Sequence, residues 1–408
     1  MATENLKIEI ESIVSALRGE GKTSLALCID TNWNKTAALY STELNSWQYQ
    51  KGMEPELREA FGRELDRLEV KEDLKSKILN SLEKRRILQT APHLVAIESP
   101  RMLCINWLGS LGVNPEDFYV VAMFSGIPFS NSFRPGRINF KENSVNLFTS
   151  SMQDGLVYRS LIQSKLGDAV KNLSPLITSL LPQGIPGESF TKWALQSCTN
   201  IEKKILGKNN LVFLDMNEVV VEYLIKVLRN KTHVMYKIFF DPKTRVEFKK
   251  AFPKETIFYH PASDGKYEKT ESMTFSTDTL KSRTREISLK DPEELIAGLK
   301  NDRLCPGLAI SFLVFAFLND FKCFGSFYQV EYLPKYQEKF AQLEFMSGLD
   351  ISKVPTANLT TGVFPDNVDL YPADIIEGKK FDPSPEILFG ELLLPIRDYL
   401  IHGRQTKK

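Results

Sequence analysis

The run Phe118 to Phe124, Phe-Tyr-Val-Val-Ala-Met-Phe, constrains this chain more than any other stretch. An almost unbroken apolar run of that length suits a strand buried on both faces of a parallel sheet. The residues after it are polar and punctuated, Ser125-Gly126-Ile127-Pro128-Phe129-Ser130-Asn131-Ser132-Phe133-Arg134-Pro135-Gly136-Arg137. Upstream come a polar loop carrying His93 and a helix expected over Pro100–Gly109, with Gly109 and Gly112 as stop signals. In open α/β sheets, ligands collect outside the carboxyl ends of the strands. The 125–137 loop is therefore the first place to look for a site.

The rest of the chain reads as α/β, a parallel sheet flanked by helices with a smaller α+β insertion. At 408 residues it exceeds what one hydrophobic core usually serves. The expected division is residues 1–230 as the first part of the core, 231–300 as the insertion, and 301–408 as a return to the core plus a proline-rich tail. Residues 1–90 look mostly helical, over Asn5–Arg18 and the charge-dense Met53–Ile87, with Ser24–Asp30 a short strand or helix. Gly19 to Ser24 is no phosphate loop, because Ala16 stands where its first glycine belongs. Ser151–Leu181 and Ser189–Lys204 read as helices. Leu211–Leu214 reads as a second buried strand, and Asp215 after it as the cap of a helix to Val227 or, in the other reading, as a partner for a ribose hydroxyl or an amine. Further on, His233–Phe240, Thr256–His260 and Ser272–Ser276 look like strands, with Asp264-Gly265 as a hairpin turn. A helix should start at Asp291-Pro292, Gly307–Leu318 should be a buried helix, and Pro385–His402 should end the tail as a short helix.

Charge narrows the function classes. Lys+Arg number 52 and Asp+Glu 51, which leaves no basic footprint for nucleic acid. No apolar run approaches the ~20 residues of a membrane span. The first residues also lack the continuous apolar core of a signal peptide. The expectation is a cytoplasmic protein acting on a small molecule, with neither nucleic acid nor membrane as partner and with homo-oligomerisation open. Cys28, Cys104, Cys198, Cys305 and Cys323 are scattered, and no Cys/His spacing suggests a metal.

The candidate chemistry sits in three places. His93, in a loop before a helix, suits proton transfer, since histidine titrates near neutrality. Ser125, Gly126, Asn131, Arg134 and Arg137 form a loop able to bind a carboxylate or phosphate, the two arginines facing the developing anion. Gln329 and Glu331, set among aromatics in Cys323–Tyr332, need either an internal network or a ligand. His233 and His260 read as structural, and His402 as exposed.

Two stretches, Thr90-Ala91-Pro92-His93-Leu94 through Gly126 and Cys305-Pro306-Gly307-Leu308 through Tyr332, together resemble the cysteine-adding enzyme family of bacillithiol biosynthesis. The likeness lies in the order and spacing of loop, helix, linker, buried strand and ligand loop, and then of apolar helix, glycine turn and aromatic-rich helix. Ser125-Gly126-Ile127-Pro128 stands where that family carries an acidic loop. The resemblance implies a Rossmann-like parallel sheet flanked by helices, a core similar to class I aminoacyl-tRNA synthetases, with a connective insertion. It also implies a position for His93 like that of the histidine-bearing loop those enzymes place over ATP phosphates. No residue pattern identifies a cofactor by itself; ATP is the one the resemblance raises. Two functions follow as expectations. One is a biosynthetic enzyme joining an amino acid or related carboxylate to an amine or other nucleophile. The other is a relative without chemistry that serves as a ligand-binding or protein-interaction module.

Overall fold

The computed structural model of the chain describes residues 2–403. Helices Ala2–Gly19, Thr23–Asn32, Ala37–Leu44, Pro55–Arg67 and Glu72–Arg85 come first. Ser24–Asp30 is thus helical, burying Leu25, Ala26 and Ile29. The strands in chain order are β1 (Ile87–Gln89), β2 (Tyr119–Met123), β3 (Arg137–Asn139), β4 (Ser144–Asn146), β5 (Leu211–Asp215), β6 (Phe258–Ser263), β7 (Glu268–Phe275), β8 (Thr279–Lys281), β9 (Glu286–Ser288), β10 (Cys305–Pro306) and β11 (Lys322–Phe324).

The fold is mixed α/β, built on a four-stranded sheet in the order β11-β1-β2-β5 with every pairing parallel. Every residue of these strands is buried. Successive side chains of a strand point to opposite faces, so both faces of this sheet are covered. The apolar run at 118–124 takes an inner position, and β2 pairs with β5 from Tyr119–Leu211 to Met123–Asp215. A second sheet, β10-β6-β7-β8-β9, is antiparallel in all its pairings. The Asp264-Gly265 turn joins β6 to β7, with Gly265 at φ +90° where a side chain would be strained. Buried residues of both sheets belong to one continuous core cluster. Among the described residues, no helix is long and apolar enough to cross a membrane.

Several expected elements differ. His233–Phe240 is not a strand: His233 caps a helix over Val234–Phe240, its Nδ1 accepting from the Met235 backbone N at 3.1 Å. Met235, Ile238 and Phe239 are buried at helical spacing, and the cap decides a sequence whose apolar residues fit either period. Ser151–Leu181 contains only the helices Ser164–Lys171 and Pro175–Thr178 after a short 3-10 turn, because Pro175 and the Asn172–Ser174 turn break the run. Residues 385–402 divide at Pro395 into Phe389–Leu393 and Arg397–His402, linked by one 3-10 turn. The helix Pro100–Leu111, with Ser99 as its cap and Pro100 in its first turn, forms where the sequence puts it. So do the helices Phe190–Leu206 and Met216–Val227 and the one begun by Asp291-Pro292. Within Gly307–Leu318 the helix runs over Leu308–Phe312 from its cap Gly307 and widens to a buried π-helix over Leu313–Leu318.

Candidate functional site

The carboxyl ends of β1, β2 and β11 open onto a cavity of about 190 Å³. Each strand hands it a side chain just past its last residue: Thr90 and His93 after β1, Phe124 after β2, and Gln329 from the helix Phe327–Ala341 that follows β11. Residues 92–94 run alongside Phe124, with Leu94 N donating to Phe124 O at 2.9 Å and Phe124 N to Pro92 O at 3.0 Å. The strand pairing therefore continues past β1 and fixes the backbone that carries His93. At the other side, Gln329 Nε2 donates to Thr90 Oγ1 at 2.8 Å and to Phe324 O at 3.2 Å. Gly325 lets the chain turn there: a Cβ at that position would lie 2.6 Å from Gln329 Cβ.

His93 is held by Asn131, whose Oδ1 lies 3.2 Å from Nδ1. The same oxygen accepts from Phe133 N at 3.1 Å, which identifies it as the amide oxygen rather than the nitrogen. An oxygen without a proton can only accept, so in the neutral ring Nδ1 bears the hydrogen and Nε2 the lone pair. Phe133 packs edge-on to the imidazole with ring centroids 4.7 Å apart.

A second cavity, of about 650 Å³, shares Arg101, Ser132, Phe133 and Tyr399 with the first and adds Asn131, Arg134 and Tyr371. Arg101 stands in the partition, in the first turn of Pro100–Leu111. Its guanidinium lies 4.8 Å from the Tyr399 ring, 5.3 Å from Phe133 and 5.9 Å from Phe327. Rings soften the charge but accept few of its five N–H groups, and no carboxylate lines either cavity. Together the two cavities make a cleft with cationic and aromatic walls and one histidine, suited to a small anion bearing a ring.

The cleft unites four of the residues singled out from sequence: His93, Asn131, Arg134 and Gln329. Arg137 lies in an adjoining groove that shares Ser130 and Arg134 with the outer cavity. Ser125, Gly126 and Glu331 are elsewhere. Ser125 is buried, its Oγ donating to Asp215 Oδ1 at 2.7 Å. Gly126 is pressed on Phe124 and Cys305, 2.6 and 3.0 Å from a would-be Cβ. Glu331 Oε1 accepts from Leu25 N at 2.7 Å and so satisfies the first turn of Thr23–Asn32. The sequence signal at Glu331 was real, but its demand is met inside the fold.

Ser125 belongs to a buried ionic network. Glu64 takes Arg67 in a two-pronged pair (Nε–Oε2 2.6 Å, Nη2–Oε1 2.8 Å), and Arg159 grips Glu218 likewise, both contacts at 2.8 Å. Asp215 caps Met216–Val227 by accepting from Asn217 N at 2.9 Å, as expected. Burial, and then the Glu218 and Glu64 carboxylates, push its pKa up to about 8. Burial raises the pKa of Glu64 in the same network, so two guanidiniums face three carboxylates and the group as a whole favours taking up a proton. This network braces the β2 and β5 ends and does not line the cleft. A second buried pair, Glu98 and Glu202, lies behind the helix Pro100–Leu111. Asn106 Nδ2 donates to both Glu202 oxygens, at 3.1 and 3.0 Å, and burial pushes that carboxyl up to about 8.

Thr90, Arg101, Tyr332 and Tyr399 were not singled out from sequence. Arg101 carried the one available signal, a cation in the first turn of a helix, where its charge opposes the helix dipole. Among the described residues, no group of three or more His, Cys, Asp or Glu side chains is placed to hold a metal ion. Compared with protein-family models and with curated proteins, the chain gives no match.

Proposed function

We propose that this chain is a small-molecule biosynthetic enzyme of Rossmann-like architecture, taking a carboxylate-bearing substrate with a ring into the cleft between His93 and Arg134. The observation that carries this reading is the pairing of a tautomer-fixed histidine with an arginine that faces a cavity free of carboxylates. Arg101 would bind the substrate anion through its in-plane N–H groups, while Phe133, Phe327 and Tyr399 take the ring. His93 Nε2 would accept a proton from a bound amine or hydroxyl, and Arg134 would face negative charge at the mouth. The order of elements that resembles the bacillithiol cysteine-adding enzymes fits this reading.

One observation favours a second reading, a binding protein without chemistry. The partner at His93 Nδ1 is a neutral amide, which orients the ring but gives that nitrogen no carboxylate of the kind that supports a catalytic imidazolium. Thermal-shift titration with phenylacetate, phenylalanine and nucleotides tests both readings. Stabilisation by the ring-bearing carboxylates, lost in Arg101→Gln, is expected. If no carboxylate raises Tm, the substrate class is wrong. If ligands bind but His93→Ala leaves the cellular product unchanged, the binding reading replaces the enzyme.

A further inference from the structure

The groove beside the cleft has the opposite balance from the rest of the chain, which is nearly neutral. Its volume is about 420 Å³, and Arg134, Arg137 and Lys165 line it without any carboxylate among the lining residues. Elsewhere arginines and lysines of this protein find acids readily: Arg67 with Glu64, Arg159 with Glu218, Arg245 with Asp278. Among the described residues none of the three groove cations forms an ion pair or donates a hydrogen bond through its side chain. Three like charges brought together cost electrostatic energy that a bound anion would offset.

The fold builds the groove with rigid parts. Its floor is aromatic, Phe129 on Phe148 with centroids 4.1 Å apart and Phe190 edge-on beneath Phe148 at 4.8 Å. On the rim, Arg137 sits opposite Asn146 in the β3–β4 ladder, so both side chains project from the same face. Arg134 holds a left-handed backbone, φ +54°, closed by its N–H to Asn131 O at 2.7 Å and by Arg137 N to Arg134 O at 3.0 Å. Asn146, Ser150 and Gln153 add neutral donors. Ser130 and Thr149 add less, since their hydroxyls already bond Asp154 Oδ1 and Gln163 Oε1, at 3.0 and 3.3 Å.

We infer that this groove is a phosphoryl-binding subsite, and that the substrate of the neighbouring cleft is a phosphorylated, ring-bearing small molecule. A single carboxylate is satisfied by one guanidinium fork. Three cations with amide and hydroxyl donors around one volume match a dianion with oxygens in three directions. Arg134 belongs to both the groove and the outer cavity, so one molecule can span them. The part concerning the substrate rests on the cleft being the substrate site, whereas phosphoryl binding by the groove stands by itself.

Calorimetric titration of the whole protein with inorganic phosphate, benzoate and phenyl phosphate separates the two. Phosphate should bind, with affinity reduced about tenfold in Arg137→Gln and in Lys165→Gln, while benzoate binding is retained. Arg101→Gln should do the reverse. Arg134→Gly relieves the left-handed backbone, so Tm should hold or rise while phosphate affinity falls, which a merely structural arginine would not give. Phenyl phosphate should bind more tightly than either probe alone. Phosphate without measurable binding below about 10 mM, or binding that Arg137→Gln and Lys165→Gln leave intact, overturns the subsite. A short single-stranded oligonucleotide that binds more tightly than phenyl phosphate overturns the small-molecule assignment. Phosphate that binds without benzoate keeps the groove and removes the cleft reading alone.

Discussion

Asn131 determines which nitrogen of His93 carries the proton, because its Oδ1 accepts from Phe133 N at 3.1 Å and faces His93 Nδ1 at 3.2 Å. The neutral ring should therefore show the Nδ1–H tautomer in imidazole ¹⁵N shifts. Asn131→Ala should shift it toward a tautomer mixture and weaken any step that depends on ring orientation about fivefold, the worth of one ordinary hydrogen bond. An Nε2–H ring in the unaltered protein would refute the assignment.

The close turn beneath Gln329 offers a cleaner perturbation of the cleft than removal of a wall residue. In Gly325→Ala the added methyl meets the Cβ of Gln329, an atom that cannot swing away without moving the helix Phe327–Ala341. Overpacking of this kind costs about 1–3 kcal/mol, and here it should also loosen Gln329 from Thr90 and lower ligand affinity. Gly348→Ala, with nothing within 4 Å of the new methyl, is the control and should change neither quantity. Urea denaturation and ligand titration of both variants measure the difference.

Glu202 gives the protein a pH dependence of stability with a defined sign. Burial raises its pKa from 4.5 to about 8, so the folded protein keeps a proton that the unfolded chain releases. That contribution is fully present below about pH 4.5, is lost as the pH climbs through 8, and is constant above it. Glu202→Gln imitates the protonated form. At pH 8.5 it should stabilise the fold by about 4 kcal/mol relative to the unaltered chain, and at pH 4.5 it should be close to neutral. Equal effects at both pH values would contradict the burial argument.

Breaking one ionic pair of the buried network should be costly, whereas removing both partners should not. Arg67→Met strands Glu64, whose Oε1 also accepts from Asp215 N at 2.9 Å, and a loss of about 3 kcal/mol is expected. Adding Glu64→Gln keeps that acceptor while removing the charge, and should recover most of the loss. Chemical denaturation of the two variants at pH 7 reads this directly, and a double variant no better than the single would place the damage in packing.

How far these features could be read in advance depended on where their cause lay. The strand at 118–124 and the βα unit at 211–227 declare themselves through local apolar runs and caps. β1 does not: three residues between Arg85-Arg86 and a proline-bearing loop give no period, and only pairing with β2 and β11 makes them a strand. His233–Phe240 misled because its apolar residues suit both periods and a histidine is an uncommon cap. At the cleft, His93 and Gln329 were conspicuous by type. Arg101 and Tyr399 are ordinary in sequence and acquire meaning only by meeting across nearly three hundred positions, at 4.8 Å. Glu331 shows the converse, a polar residue among aromatics whose partner, Leu25 N, no spacing rule points to.

That distant meeting has a consequence in time. The strand ends that make the cleft floor emerge from synthesis in the order β1, β2, β11, but its outer wall includes Ile396 and Tyr399. Lys22 bonds the Leu400 carbonyl at 2.9 Å, and Arg397 pairs with Glu9 and donates to Ser12 at 2.9 Å. The first helix of the chain therefore waits for one of its last partners. A growing chain can form much of the parallel sheet early, yet it has no closed ligand site until residue 399 has arrived. Binding at the proposed cleft would therefore report completed folding rather than assist its early steps.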